Sequence, residues 1–349
     1  MSDVSGEGDT PLETLVEKAL GKEEKDMFLP LLPPLAQDLK DVDAEIREVL
    51  PCSYSFLTEA ASYATASGGK RLRPLVIIVS YRALGFSDTK AVHSLAAAFQ
   101  LIHTASLVHD DVIDHASMRR GRPSVHQAFG LTAAIVGGDY LFVRAFQLAG
   151  KYSPEVIQRC GEASADIAQG EVMQENSRFD LTIDKEHYLR MVMFKTANAF
   201  AAGAESAAMV ARASPEVVRS LADFGRAMGI AFQIKDDILD AYGDRDVMGK
   251  PSFSDFREGL PTLPSILAYD MLSGKEKIEF ERLFTLRHKR PVHLLRLREL
   301  CNESGARNVA DAEAEKWADS ATRSLRNLPR GPYRDLLEGL ASGAVERKY

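Results

Sequence analysis

Apolar residues recur at a spacing near 3.6 along five stretches, roughly 87–115, 132–150, 153–176, 183–212 and 214–241, and each stretch predicts a helix. Two helix starts are marked. Ser153-Pro154-Glu155 and Ser214-Pro215-Glu216 each set an N-cap serine before a proline at the first helical position. Ala-rich runs such as Ser94-Leu95-Ala96-Ala97-Ala98-Phe99-Gln100 favour helix and close helix packing. The period-two alternation of strands and Asn-Gly hairpin turns are absent. The pattern predicts a single all-α domain over 11–349, a bundle of about ten or more helices with no Gly/Ser linker. Residues 1–10, rich in Ser, Gly, Asp and Glu, are expected to form a disordered tail.

Composition narrows the field. A chain of 349 residues, 45% hydrophobic, can build a large core, and a net charge of −7 excludes the basic footprint of a nucleic-acid-binding protein. Cys52, Cys160 and Cys301 are scattered, which argues for a reducing compartment without disulfides or a zinc site. No transmembrane segment is expected, because no apolar run reaches the roughly 20 residues that span a bilayer. The polar, acidic N-terminus lacks signal-peptide regions. A cytoplasmic protein is expected.

The pattern that carries chemistry is Asp110-Asp111-Val112-Ile113-Asp114, repeated as Asp236-Asp237-Ile238-Leu239-Asp240. Each copy has carboxylates at i, i+1 and i+4, so two share a helix face and the third flanks them. Like charges about 5 Å apart repel by a few kcal/mol even at an effective dielectric of about 20, so such clusters call for cations. Oxygen-only ligands favour Mg²⁺, and Mg²⁺ held by few carboxylates completes its shell with water and substrate phosphates. A phosphate or diphosphate substrate follows.

Basic residues flank these motifs. Gly68-Gly69-Lys70-Arg71-Leu72-Arg73-Pro74 joins two glycines that let a ligand approach the backbone to three cations. Arg119-Arg120-Gly121-Arg122-Pro123 follows the first Asp motif, either as a cationic helix cap or as a neutraliser of the same diphosphate. His103 falls on the face of Asp110 and Asp114, about 10 Å below Asp110. Taken alone it is a satisfied core histidine; beside the Asp motif it is a donor to a second anionic group. Lys195-Thr196 interrupts an apolar helix, where a lysine can also snorkel. Gln233 lies one turn before the second Asp pair, and Lys250 opens a polar loop.

With GGKRLRP, HTASLVHDDVID, RRGRP, KTA and FQIKDDILDAYGD in this order, the chain from about residue 50 onward resembles the trans-isoprenyl diphosphate synthases, the head-to-tail prenyltransferases. The resemblance implies an isoprenoid-synthase bundle around a deep central cavity, usually a homodimer, with the Asp helices at the cavity mouth. It implies about three Mg²⁺ ions bridging Asp110, Asp114 and Asp236 to an allylic prenyl diphosphate, with Asp111, Asp237 and Asp240 in support. Arg119, Lys195 and Lys250 would stabilise the leaving diphosphate, with Thr196 and Gln233 alongside. Isopentenyl diphosphate would be held by Lys70, Arg73, His103 and Arg120. Two positions depart from the family pattern: Phe253 replaces a small residue after Gly249-Lys250-Pro251, and Leu260 stands where many members have Lys.

Chain length is expected to be set along the first Asp helix. Ala105 and Ser106, both small, stand where a short-chain enzyme would place an aromatic plug, so a tunnel continuing past Phe99, Leu101 and Ile102 is expected. By analogy within the family, this implies a product of roughly six to ten isoprene units for a quinone side chain, with membrane contact only at product release. The alternative is a farnesyl or geranylgeranyl diphosphate synthase. A class I terpene cyclase would not need GGKRLRP, and an inactive regulatory subunit typically loses an Asp motif that is intact here. An HD-type phosphohydrolase would need further metal-binding histidines.

Overall fold

A computed structural model describes residues 28–66, 69, 71–243 and 253–346. The expected tail at 1–10, Lys70 and Lys250 lie outside the described residues. In chain order the helices are α1 (Leu32–Val49), α2 (Ser55–Thr65), α3 (Leu72–Ala83), α4 (Lys90–Ile113), α5 (Val125–Phe129), α6 (Leu131–Ala149) and α7 (Pro154–Asn176). They continue as α8 (Lys185–Val192), a π-helical turn (Met193–Ala197), α9 (Asn198–Val210), α10 (Pro215–Tyr242) and α11 (Ser254–Glu258). The last five are α12 (Leu263–Met271), α13 (Gly274–Phe284), α14 (Pro291–Ser304), α15 (Ala306–Ser324) and α16 (Pro332–Glu346). The protein is all-α. The stretch read as one helix over 183–212 is broken by the π-turn. The only extended structure among the described residues is a two-residue ribbon, β1 (Met118–Arg119) with β2 (Arg122–Pro123).

The chain gathers into two compact units: 1–161 with 202–221 and 327–340, and 162–201 with 222–326 and 341–349. In the first, α4 is the central helix and packs against α1, α3 and above all α6. It is buried without interruption from Val92 to Ile102, which its run of Ala, Leu and Phe permits. That burial also explains why α4, long and apolar enough to cross a membrane, is a core helix, with 78% of its most apolar window buried.

In the second unit, Ile230, Ile234, Ile238 and Ala241 form one face of α10 and pack into a core with Tyr188, Phe256, Ile266, Phe280 and Leu297. Burying that stripe fixes the rotation of α10 and leaves Gln233, Asp236 and Asp240 only partly covered. The alanines at 306, 310 and 314 repeat every four residues and are fully buried, which lets α15 lie close to α12.

Candidate active site

In the first unit the structure brings three predicted segments together. The ribbon turns at Arg120 (φ 50°) and Gly121 (φ 75°), the two positive-φ positions of a type I′ hairpin. The Arg-rich segment is therefore a tight hairpin, not a cap on α4. The turn carries Arg120 over Gly69, where a β-carbon would stand 2.5 Å from Nη1. Only glycine permits that approach. Arg119 reaches back to Asp111, donating to Oδ1 from Nε at 2.8 Å and from Nη2 at 2.5 Å. Asp111 is buried and thereby anchors the hairpin, while Asp110 and Asp114 are partly exposed.

An open cleft of about 450 Å³ lies here, lined by Tyr63, Arg71, Asp111, Arg119, Arg120 and Arg122. Arg122 stacks over the Tyr63 ring at 4.1 Å, and Tyr63 Oη donates to Pro123 O at 2.8 Å, fixing the second strand. His103 is held well below the ordinary imidazole range by burial and then by Arg73, Arg120, Arg119 and Arg71. It is neutral at physiological pH, so one ring nitrogen can donate without adding repulsion among the arginines. His109 turns away: its ring sits on Gly138 and Nε2 lies 3.0 Å from Ile135 O, a packing role.

The two chain-length residues part company. Ser106 is partly exposed and donates Oγ to His103 O at 2.9 Å, but Ala105 is fully buried. The expected open path past Phe99, Leu101 and Ile102 is corrected, because these side chains are at most 1% exposed. The packing of α1, α3 and α6 around α4 fills that space.

In the second unit, Asp237 is buried and accepts from Tyr188 Oη at 2.6 Å and Gln233 Nε2 at 2.8 Å. Gln233 Oε1 accepts in turn from Thr196 Oγ1 at 3.0 Å, so a hydrogen-bond chain joins the Lys195-Thr196 turn to the Asp motif. Burial pushes Asp237 up to about 7, with Asp236 and Asp240 adding repulsion. Asp240 accepts from Ser254 Oγ at 2.5 Å and from the backbone N–H groups of Ser254 and Asp255. Asp255 itself is held well above the carboxylate range by burial, then by Asp240, Asp237 and Glu258.

Four carboxylates thus crowd one end of α10 with only oxygen donors to offer. Among the described residues no three His, Cys, Asp or Glu side chains are gathered closely enough to chelate an ion unaided. That donor set fits Mg²⁺ held by one or two carboxylates, with water and diphosphate oxygens filling its shell. Tyr188 and Asp255 escaped sequence reading, since Tyr188 looks like any core aromatic and Asp255 lies outside the repeated motif.

The two departures from the family pattern have structural consequences. Phe253 adopts φ 71°, ψ 27°, a left-handed conformation that explains why a small residue is usual there. Leu260 is buried, and its N–H donates to Asp255 O at 2.8 Å.

Comparison with known families decides the relationship, since the polyprenyl synthetase family model matches residues 54–299. The chain belongs to the polyprenyl synthetase family. Octaprenyl diphosphate synthase of Escherichia coli is 38% identical over 315 residues, covering 89% of this chain and 96% of that protein. The crystal structure of a Caulobacter crescentus polyprenyl synthase complexed with calcium and isoprenyl diphosphate superposes with a TM-score of 0.86 at 36% identity, covering 93% and 98%. A geranylgeranyl pyrophosphate synthetase from Pyrococcus horikoshii superposes almost as well, with a TM-score of 0.85 at 32% identity over 93% and 100%. Fold alone therefore does not separate long-chain from short-chain members of this family.

Proposed function

We propose that this polyprenyl synthetase condenses isopentenyl diphosphate head-to-tail with an allylic prenyl diphosphate. The product is a long all-trans polyprenyl diphosphate, for a quinone side chain. The observation that carries the reading is the arginine hairpin seated on Gly69, with neutral His103 beneath it and the first Asp motif alongside. That is a place for a diphosphate bound by cationic side chains. Its neighbour is a motif suited to a metal-bound diphosphate.

In this reading Arg73, His103 and Arg120, with Lys70, hold isopentenyl diphosphate. Asp110, Asp114 and Asp236 would hold Mg²⁺, about three ions. Asp111, Asp237 and Asp240 stand behind them through the hydrogen bonds described. Bound Mg²⁺ supplies Lewis-acid polarisation of the leaving group. Arg119, Lys195 and Lys250 stabilise charge building on the allylic diphosphate, and Thr196 and Gln233 orient it. The allylic C1–O bond breaks with both electrons leaving on diphosphate. The isopentenyl double bond supplies the pair for the new C–C bond, and a proton passes from the isopentenyl unit to the departing diphosphate. The apolar walls exclude water that would quench the cation. The calcium and isoprenyl diphosphate of the Caulobacter relative support a divalent cation and a diphosphate here. The reading takes residues 11–349 as one catalytic domain working in the cytoplasm as a homodimer, meeting a membrane when the insoluble product leaves.

A long product is supported by the octaprenyl relative and by the small residue at 106. One observation favours a second, short-chain reading: α4 has no accessible surface below His103. The test is to incubate the full chain with Mg²⁺, isopentenyl diphosphate and, separately, dimethylallyl, geranyl, farnesyl and geranylgeranyl diphosphate, then weigh the dephosphorylated products. A ladder ending at about six or more isoprene units is expected. Under this reading Ser106→Phe shortens the ladder. A stop at three or four units transfers the assignment to the short-chain reading. No elongation with any primer overturns the reaction itself.

A further inference from the structure

The π-turn at Met193–Ala197 carries Lys195 and is clasped by α7. Gly170 lies directly against it: a β-carbon there would stand 2.7 Å from Lys195 Cα, closer than real atoms approach. The next residue, Glu171, is 9% exposed and forms an ion pair through Oε2 with Lys195 Nζ. Its Oε1 accepts no hydrogen bond among the described residues. One turn earlier, Asp166 Oδ2 accepts from Asn198 Nδ2 at 2.6 Å. Asp166, Gly170 and Glu171 share a face of α7 at i, i+4 and i+5, and all three meet the segment 195–198. From α10, Gln233 takes the Thr196 hydroxyl.

Such an arrangement has a chemical purpose. A lysine has four rotatable bonds and about 2 kcal/mol of rotamer entropy, so its ammonium is not fixed by its backbone alone. A buried carboxylate is costly unless paired, and the partner of Glu171 is Lys195. A π-turn inserted into a helix is itself a frequent mark of a functional site.

We propose that Glu171 is a positioning residue: with Gly170 it sets the π-turn and holds the Lys195 ammonium where the allylic diphosphate binds. The proposal rests on the prenyltransferase reading and adds a determinant of allylic-substrate affinity on α7. Neither Asp motif includes it.

The test uses the full chain and Glu171→Gln, which keeps the side chain's size. KM and kcat are measured separately for farnesyl diphosphate and isopentenyl diphosphate, and the Kd of inorganic diphosphate in Mg²⁺ buffer is measured by calorimetry. The allylic KM and the diphosphate Kd rise about tenfold, equivalent to about 1.4 kcal/mol, while the isopentenyl KM stays within about twofold. Glu171→Asp, which restores the carboxylate, recovers most of the loss. Gly170→Ala moves the same two constants in the same direction with the ion pair chemically intact, and it decides the matter if Glu171→Gln does not fold. An unchanged allylic KM and diphosphate Kd overturn the proposal, as does an equal rise for both substrates, the mark of general damage. If the wild-type chain elongates no primer, the reaction reading fails, while the calorimetric comparison still decides the role of Glu171.

Discussion

At the scale of single residues, Phe253 carries the clearest conflict between side chain and backbone. Its left-handed turn aims the N–H groups of Phe253, Ser254 and Asp255 at Asp240, the first at the carbonyl and the next two at the carboxylate. A β-carbon in that conformation costs about 1–2 kcal/mol, and the buried ring, with Arg298 5.8 Å from its centroid, offsets it. Phe253→Ala removes the ring and keeps the strain, whereas Phe253→Gly removes both. Denaturant titration is therefore expected to find the glycine variant more stable than the alanine variant by about 1 kcal/mol, the reverse of the usual order. Equal stabilities would show that the turn relaxes when the ring is gone. His103 gives a prediction in pH. Burial and four arginines lower its folded pKa below 6.5. Below pH 6.5 the unfolded chain takes up a proton that the folded chain refuses. Stability at this site therefore falls as pH drops, by about 1.4 kcal/mol per unit until the folded pKa is reached. Denaturation of His103→Gln at pH 7.5 and 5.5 should show about 1 kcal/mol less loss than the wild type; equal losses would mean the imidazole is not held neutral.

At the scale of elements, helices written in apolar periodicity were legible and local irregularities were not. The stretches read at 87–115, 132–150, 153–176 and 214–241 are α4, α6, α7 and α10 to within a few residues. The π-turn was invisible because one inserted residue hardly disturbs an apolar pattern that runs from Met191 to Phe200. The hairpin was invisible because two-residue strands are too short to show alternation. Of the site, the Asp motifs and their basic companions could be named in advance, since charge clusters in apolar surroundings stand out in any sequence. Glu171, Tyr188 and Asp255 could not, because their roles arise from contacts across helices. Gly121 tests the hairpin as an element. At φ 75° an alanine is strained by about 1 kcal/mol, and the strain falls on the turn that seats Arg120 over Gly69. Gly121→Ala is expected to raise the isopentenyl diphosphate KM several-fold, about 1 kcal/mol in binding, with little change in the allylic KM. Equal rises for both would disconnect the hairpin from the isopentenyl site.

At the scale of the whole molecule, α6 is apolar on more of its circumference than its own unit covers. Ala134, Leu141, Ala145 and Leu148 face the core of the first unit, and a helix with that stripe alone would be an ordinary surface helix. Leu131, Ile135, Val143 and Phe146 are also apolar and are 57%, 44%, 63% and 37% exposed. Turned at about 100° per residue, these four fall on one side of the helix, so they form a stripe and not scattered points. Contiguous apolar surface of this kind on a soluble chain marks an interface. A second copy of the same chain is the occupant that matches it, because a two-fold axis lets an apolar helix face meet itself. The stripe contains none of the residues assigned to diphosphate binding. A charge at its centre should therefore break the dimer and leave the hairpin, Asp motifs and π-turn folded. Val143→Glu is expected to shift the sedimenting mass from twice the chain mass to one chain, with the diphosphate Kd unchanged. A Val143→Glu protein that still sediments as a dimer would move the interface elsewhere. A wild-type chain sedimenting as a monomer would leave the stripe to another partner and remove the homodimer from the proposed function.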